Sequence, residues 1–159
     1  MPQPANRISR PKDRTEVEPL DTLVGYNLKR AYMIFQDDFR KTLGDSGLTP
    51  RAFAVLTLIA QIPSVTQSAI SRHLGIERSG LVAIVDDLEK RGLVLRVAVP
   101  GERRVQALAI TDNGKRAHKI SDEAVRKHEE RLLSVFSRRE RQTLLDLLSR
   151  LRNWKENLP

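Results

Sequence analysis

Apolar residues recur along this chain with two different periods, and the change of period marks its elements. Over residues 21–43, Leu23, Tyr26, Leu28, Ala31, Tyr32, Ile34, Phe35 and Phe39 fit a helical repeat. They spread over more than one face, which predicts a helix held between its own domain and a partner chain. Gly44, Ser46 and Gly47 end it. Thr49 before Pro50 reads as an N-cap with proline at the first helical position. The helix over 50–62 carries Phe53, Val55, Leu56, Leu58 and Ile59 until Pro63 stops it. A third helix opens at Thr66 and breaks at Gly75. A fourth, capped by Glu77 or Ser79, sets Leu81, Ile84, Val85 and Leu88 on one face. Lys90, Arg91 and Gly92 close it, with cations against the negative end of the dipole and then a residue tolerant of positive φ.

The pattern then turns β-branched. Residues 93–99 and 105–110 read as two strands joined by Pro100 and Gly101, with Arg103 and Arg104 beside the turn. A helix-turn-helix followed by a two-stranded wing is a nucleic-acid docking shape. Thr111 and Asp112 start a charged helix running to about residue 136, with the acid placed at the positive end of the dipole. Ser137 and Glu140 form a capping box for a last helix bearing Leu144, Leu145, Leu147, Leu148, Leu151 and Trp154. So many leucines with no later segment to cover them predict self-association; an ordinary intrachain core is the alternative.

The expected fold is mostly α with a small β-wing. Residues 1–19 form a flexible arm, 20–47 the N-terminal helix of a dimerisation region, 48–111 a winged helix-turn-helix, and 112–159 C-terminal dimerisation helices.

Composition narrows the function. The absence of cysteine excludes disulfides, thiolate metal sites and a thiol redox switch. No run of 18 apolar residues is present, and Arg7 and Arg10 are not followed by an apolar segment. Neither a membrane span nor a secretory leader is therefore expected, and the cytoplasm is the default compartment. No nucleophile elbow, phosphate-binding Gly-rich loop or H-E-x-x-H occurs, so neither an enzyme nor a cofactor is expected. The formal charge of +8 favours a polyanionic partner. Residues 112–159 carry +4 of it, outside the expected reader, and a solvated helical surface accounts for part of that. The arm offers Arg7, Arg10, Lys12 and Arg14 to DNA or to solvent.

Within the reader, Arg78 and Ser79 stand at the leading end of the second helix, where base edges are usually touched. Arg78 suits guanine O6 and N7. Val82 and Ala83 suit thymine methyls and donate no hydrogen bond. Thr66, Gln67, Ser68, Ser71 and Arg72 are sized for phosphate contacts. Arg103 and Arg104 at the wing turn suit a narrow A·T-rich minor groove, whose negative potential attracts arginine. The helix from Glu77 to Arg91 is net −1. That leaves a second reading open, a winged-helix protein-interaction module without sequence-specific DNA binding.

Taken together, the chain resembles the multiple-antibiotic-resistance regulator (MarR) family over about residues 20–155. The resemblance rests on Leu88, Glu89, Lys90, Arg91, Gly92, Leu93 and Val94, then Glu102, Arg103 and Arg104, then Ile110 and Thr111 with Gly114 three residues on. Gln67 and the segment with Leu48, Thr49, Phe53 and Leu56 also match. The resemblance implies a homodimeric winged-helix repressor of double-stranded DNA. The first and last two helices would form the dimer, and small aromatic ligands would bind between dimer interface and reader. By position, Arg104 matches the wing arginine that enters the minor groove. Glu102 replaces the usual aspartate of the wing, and Val82, Ala83 and Asp87 stand where polar or basic residues are frequent in the family.

Tyr32, Phe35, Phe39 and Phe53 are the candidate ligand-binding residues, with a plain core as the alternative. An aromatic acid or its coenzyme A thioester is the effector class that the basic C-terminal segment suggests. His118 and His128 are ten residues apart, roughly 15 Å along one helix at 1.5 Å per residue, too far to share a metal within it. They are expected to be structural or solvated.

Overall fold

A computed structural model describes residues 18–99 and 101–154, apart from the side chains of residues 18, 19, 45 and 102–105. The basic residues of the arm and the side chains of Arg103 and Arg104 lie outside the described residues. The chain divides into two compact units, residues 1–34 and 35–159.

In the first unit the expected helix starts differently. Helix α1 spans Glu18–Asp21, the chain turns at Thr22, and α2 runs Val24–Leu43, crossing into the second unit. The Asn27 side-chain amide explains the break: it donates to the carbonyls of Asp21 at 2.7 Å and Leu23 at 3.0 Å. The Asp21 carbonyl at the end of α1 thereby gains a donor, while the Leu23 carbonyl also accepts from the Asn27 backbone N–H at 3.1 Å. Leu23, Val24, Tyr32, Met33 and Ile34 are all exposed.

The second unit holds the core. After a 3-10 turn at Gly44–Ser46 come α3 (Pro50–Gln61), β1 (Val65–Thr66), α4 (Gln67–Leu74), α5 (Arg78–Lys90), β2 (Val94–Val99), β3 (Glu102–Ile110), α6 (Asp112–Leu132) and α7 (Arg138–Arg152). Thr49, Thr66, Thr111 and Ser137 each cap the helix that follows, and Ser137 with Glu140 forms the expected capping box. Glu77 takes the N-cap position of α5 but makes no side-chain capping bond. Helix α6 ends at Leu132, short of the expected residue 136, because residues 133–135 tighten into a 3-10 turn.

The sheet has three strands in the order β1-β3-β2, all antiparallel, where two were expected. Strand β1 is only two residues long and pairs Val65 with Leu108 and Thr66 with Ala107. Two residues are too few to show a period, so this strand is invisible in the pattern. The core beneath joins Val55 and Leu56 of α3, Ile70 of α4, Leu81, Val85 and Leu88 of α5, and Leu108 of β3, all fully buried. Burying each such side chain contributes about 1.5–3 kcal/mol relative to leaving it exposed.

Candidate nucleic-acid interface

The turn between α4 and α5 is fixed from within. Gly75 ends α4 at φ 62°, a left-handed conformation that favours glycine. Ser71 Oγ donates to the Ile76 carbonyl at 2.6 Å, while the Ile76 N–H donates to the Ser71 carbonyl at 3.2 Å. Ser71, sized for a phosphate contact in the sequence, is instead a latch across the turn. Thr66 Oγ1 accepts from the Ala69 N–H at 3.2 Å, so its side chain serves α4 first. Ser68, Arg72, Arg78 and Ser79 are exposed and Gln67 is half-buried.

With Leu81, Val85 and Leu88 buried, the outer face of α5 is set by helical geometry. It presents Arg78 and Ser79 first, then Val82 and Ala83, then the acidic residues Asp86 and Asp87. Those acids are not left alone. Arg96, on β2 opposite Leu108, reaches back to α5 and pairs with both Asp86 and Glu89. Asp87 pairs with Arg91 at 3.6 Å. Arg91 also donates to the carbonyls of Ser46 at 2.8 Å and Gly47 at 3.0 Å, tying the end of α5 to the loop before α3.

Two of these tethers carry little sequence signal. Arg91 reads there as a dipole-complementing cation, whereas the two carbonyls to which it donates lie more than 40 positions away. Arg96 reads as an interruption in an apolar strand. An arginine in such a strand, ten residues after an aspartate on the preceding helix, was the available clue.

The wing joins α6 through one close packing point. Thr111 Oγ1 donates to the Gly92 carbonyl at 2.6 Å and accepts from the Gly114 N–H at 3.0 Å. A Cβ on Gly114 would lie 2.0 Å from the Leu93 carbonyl oxygen, so the backbone approach itself requires glycine. Arg103 and Arg104 belong to the opening of β3.

The candidate ligand residues divide. Phe35, Phe39 and Phe53 come together in the second unit: Phe39 meets Phe53 edge-on at 5.9 Å, and Phe35 and Phe39 meet the His128 ring at 6.1 and 5.4 Å. Tyr32 belongs to the first unit and is 61% exposed. Both histidines are structural members of this cluster. His118 stacks on Phe53 with an interplanar angle of 9° and lies 3.1 Å from Thr57 Oγ1. His128, 3% exposed, bonds through Nδ1 to Asp38 at 2.6 Å, and Asp38 also pairs with Arg131. The His128 hydrogen bond is the largest of the causes that hold the Asp38 carboxyl below its ordinary range. Among the described residues, His128 Nε2 and Ser121 Oγ are buried with no hydrogen-bond partner. No group of three or more histidines and carboxylates among the described residues is placed to hold a metal, and no helix there is long and apolar enough to cross a membrane.

A latched helix pair, an exposed second helix and an antiparallel wing define a winged helix-turn-helix protein. Comparison with known proteins gives its family. The MarR family model matches residues 46–105. A transcriptional regulatory protein named for the hcr operon of Thauera aromatica is 33% identical over 129 residues, 80% of this chain and 78% of that protein. The structure of the transcriptional repressor CouR bound to a 23-mer DNA duplex superposes with a TM-score of 0.80 at 37% identity, covering 84% of this chain and 94% of that one. CouR bound to p-coumaroyl-CoA gives a TM-score of 0.78 at 34% identity, covering 87% and 97%. The chain belongs to the MarR family of DNA-binding transcriptional regulators and is not an enzyme.

Proposed function

We propose that this protein is a homodimeric repressor of transcription in the cytoplasm. It binds a pseudo-palindromic operator and is released by a small aromatic acid or its coenzyme A thioester. The observation that carries the reading is the outer face of α5, which is exposed on a helix locked at both ends. In this reading residues 48–111 form the reader. Arg78, Ser79 and Val82 face the major groove, and Thr66, Gln67, Ser68 and Arg72 lie along phosphates. Arg103 and Arg104 enter the minor groove. Residues 20–47 and 112–159 supply the dimer interface. Two-fold symmetry sets the half-sites about one helical turn apart, on the order of 10 bp.

The effector reading is supported by the neighbour that binds p-coumaroyl-CoA. Within this chain, Phe35, Phe39 and Phe53 offer ring contacts, and the His128 Nε2 atom is buried with no hydrogen-bond partner among the described residues.

A fluorescence-anisotropy titration against the DNA upstream of the protein's own gene, at two salt concentrations with a scrambled duplex as control, tests the function. Specific binding that weakens steeply with salt is expected, because neutralised phosphates release counterions. Added p-coumaroyl-CoA is expected to release the duplex. Weak, equal binding to both duplexes would favour the rival protein-interaction module, whose motivation is the apolar pair Val82 and Ala83.

A further inference from the structure

We infer that α5 recognises thymine by its C5 methyl group, with Val82 and Ala83 as the specificity-determining contacts. The inference rests on the DNA-reading function proposed above and names the base class that it selects. Val82 is 36% exposed and Ala83 is exposed, although both stand on the outer face of a helix whose inner face is fully buried. Neither side chain can donate or accept a hydrogen bond, so neither can read the polar edges of guanine, cytosine or adenine. The one apolar group in the major groove is the thymine methyl.

The neighbouring residues narrow the choice further. Asp86 and Glu89, the acids that would accept from cytosine N4 or repel phosphate, are engaged by Arg96. Asp87 is engaged by Arg91. With these acids ion-paired, Arg78 and Ser79 of the first turn are the exposed polar side chains next to Val82 and Ala83, and the middle of the helix is apolar. Two small side chains fall far short of a protein docking surface, which needs about 800 Å² per partner. They match the size of one or two methyl groups. From Arg78 the helix advances about 6 Å to Val82 and about 7.5 Å to Ala83 at 1.5 Å per residue, and base pairs rise about 3.4 Å. The thymine contact therefore falls within about two base pairs of the one made by Arg78.

The test uses the full chain and a randomised duplex library. Bound duplexes are selected and resynthesised with deoxyuridine replacing thymine at one position at a time, which removes only the methyl. One or two positions per half-site are expected to lose about fourfold in affinity, the equivalent of about 0.8 kcal/mol for one buried methyl-sized group. In Val82→Ala the loss at one of those positions should shrink toward onefold, with the melting temperature unchanged because the site is exposed. Val82→Thr, which keeps a methyl, should retain part of the sensitivity. A selected duplex bound equally well with deoxyuridine throughout overturns this inference alone. So does a methyl sensitivity that Val82→Ala and Ala83→Gly both leave untouched. A library that yields no selected duplex overturns the DNA-reading function and this inference with it.

Discussion

Helices α5 and α7 are similar in length and both amphipathic, yet their apolar side chains meet opposite fates. Leu81, Val85 and Leu88 of α5 are fully buried against their own chain, whereas Leu145, Leu147 and Leu151 of α7 are 61%, 52% and 49% exposed. The reader is therefore closed within one chain, and the C-terminal helix is not. A helix with five leucines and none of them buried gains little from folding alone. This contrast is the physical ground on which the proposed function puts a dimer interface at α7 and the DNA contact at α5.

The largest effect should come from breaking the contrast at its core. Leu88→Ala leaves a cavity in a fully packed site and is expected to destabilise the protein by about 2–5 kcal/mol in denaturant unfolding. Leu151→Ala, made in the same background, should change the stability of the monomer by no more than about 0.5 kcal/mol. The paired substitution of Leu147 and Leu151 to Asp should instead lower the mass seen by sedimentation from dimer to monomer. A double variant that keeps the dimer mass would remove α7 from the interface.

Next in size is the junction between the two regions. Gly114→Ala sets a methyl against the Leu93 carbonyl, and the resulting shift should cost about 1–3 kcal/mol. Gly25→Ala is the control: nothing lies within 4 Å of the new Cβ, and the helix should gain by up to about 1 kcal/mol. Melting temperatures that move in opposite directions are expected. Equal shifts would mean that α6 can slide away from β2 without cost.

A smaller effect belongs to Arg96, a positioning residue for α5. Arg96→Ala frees Asp86 and Glu89 on the reader and is expected to weaken operator binding about fivefold, the equivalent of about 1 kcal/mol. Most of the loss should return in Arg96→Ala with Asp86→Asn, which removes the freed charge. Unchanged affinity in the single variant would show that those acids stay clear of the DNA.

These tests also separate what the sequence discloses from what it conceals. Period and capping chemistry are local, so α3 to α5, both strands of the wing and the Ser137–Glu140 box are legible from residues a few positions apart. The reader face follows, since the buried stripe of Leu81, Val85 and Leu88 fixes which side looks outward. Long-range polar contacts leave no such trace. Nothing near Arg91 announces Ser46 and Gly47, and nothing near His128 announces Asp38, 90 positions earlier. The same holds for Gly114, whose spacing to Thr111 is visible while the carbonyl it presses against is not.

The smallest expected effect tests one of those concealed contacts. Asp38 links α2 to α6 through His128 and Arg131. Its carboxyl is held below the ordinary value near 3.8, first by the His128 hydrogen bond and then, against a desolvation that raises it, by Arg131. A depressed carboxylate stabilises the fold fully above its unfolded value. The contribution is lost as the pH falls through the lower, folded value. Asp38→Asn should therefore melt below the wild type at pH 5, and the gap should close as the pH drops below about 3.8. A gap that stays constant down to about pH 2 would mean that the carboxylate charge contributes nothing there. Asp38 would then act only through its shape and its hydrogen bond, and the junction of α2 with α6 would rest on the aromatic contacts of Phe35 and Phe39 with His128.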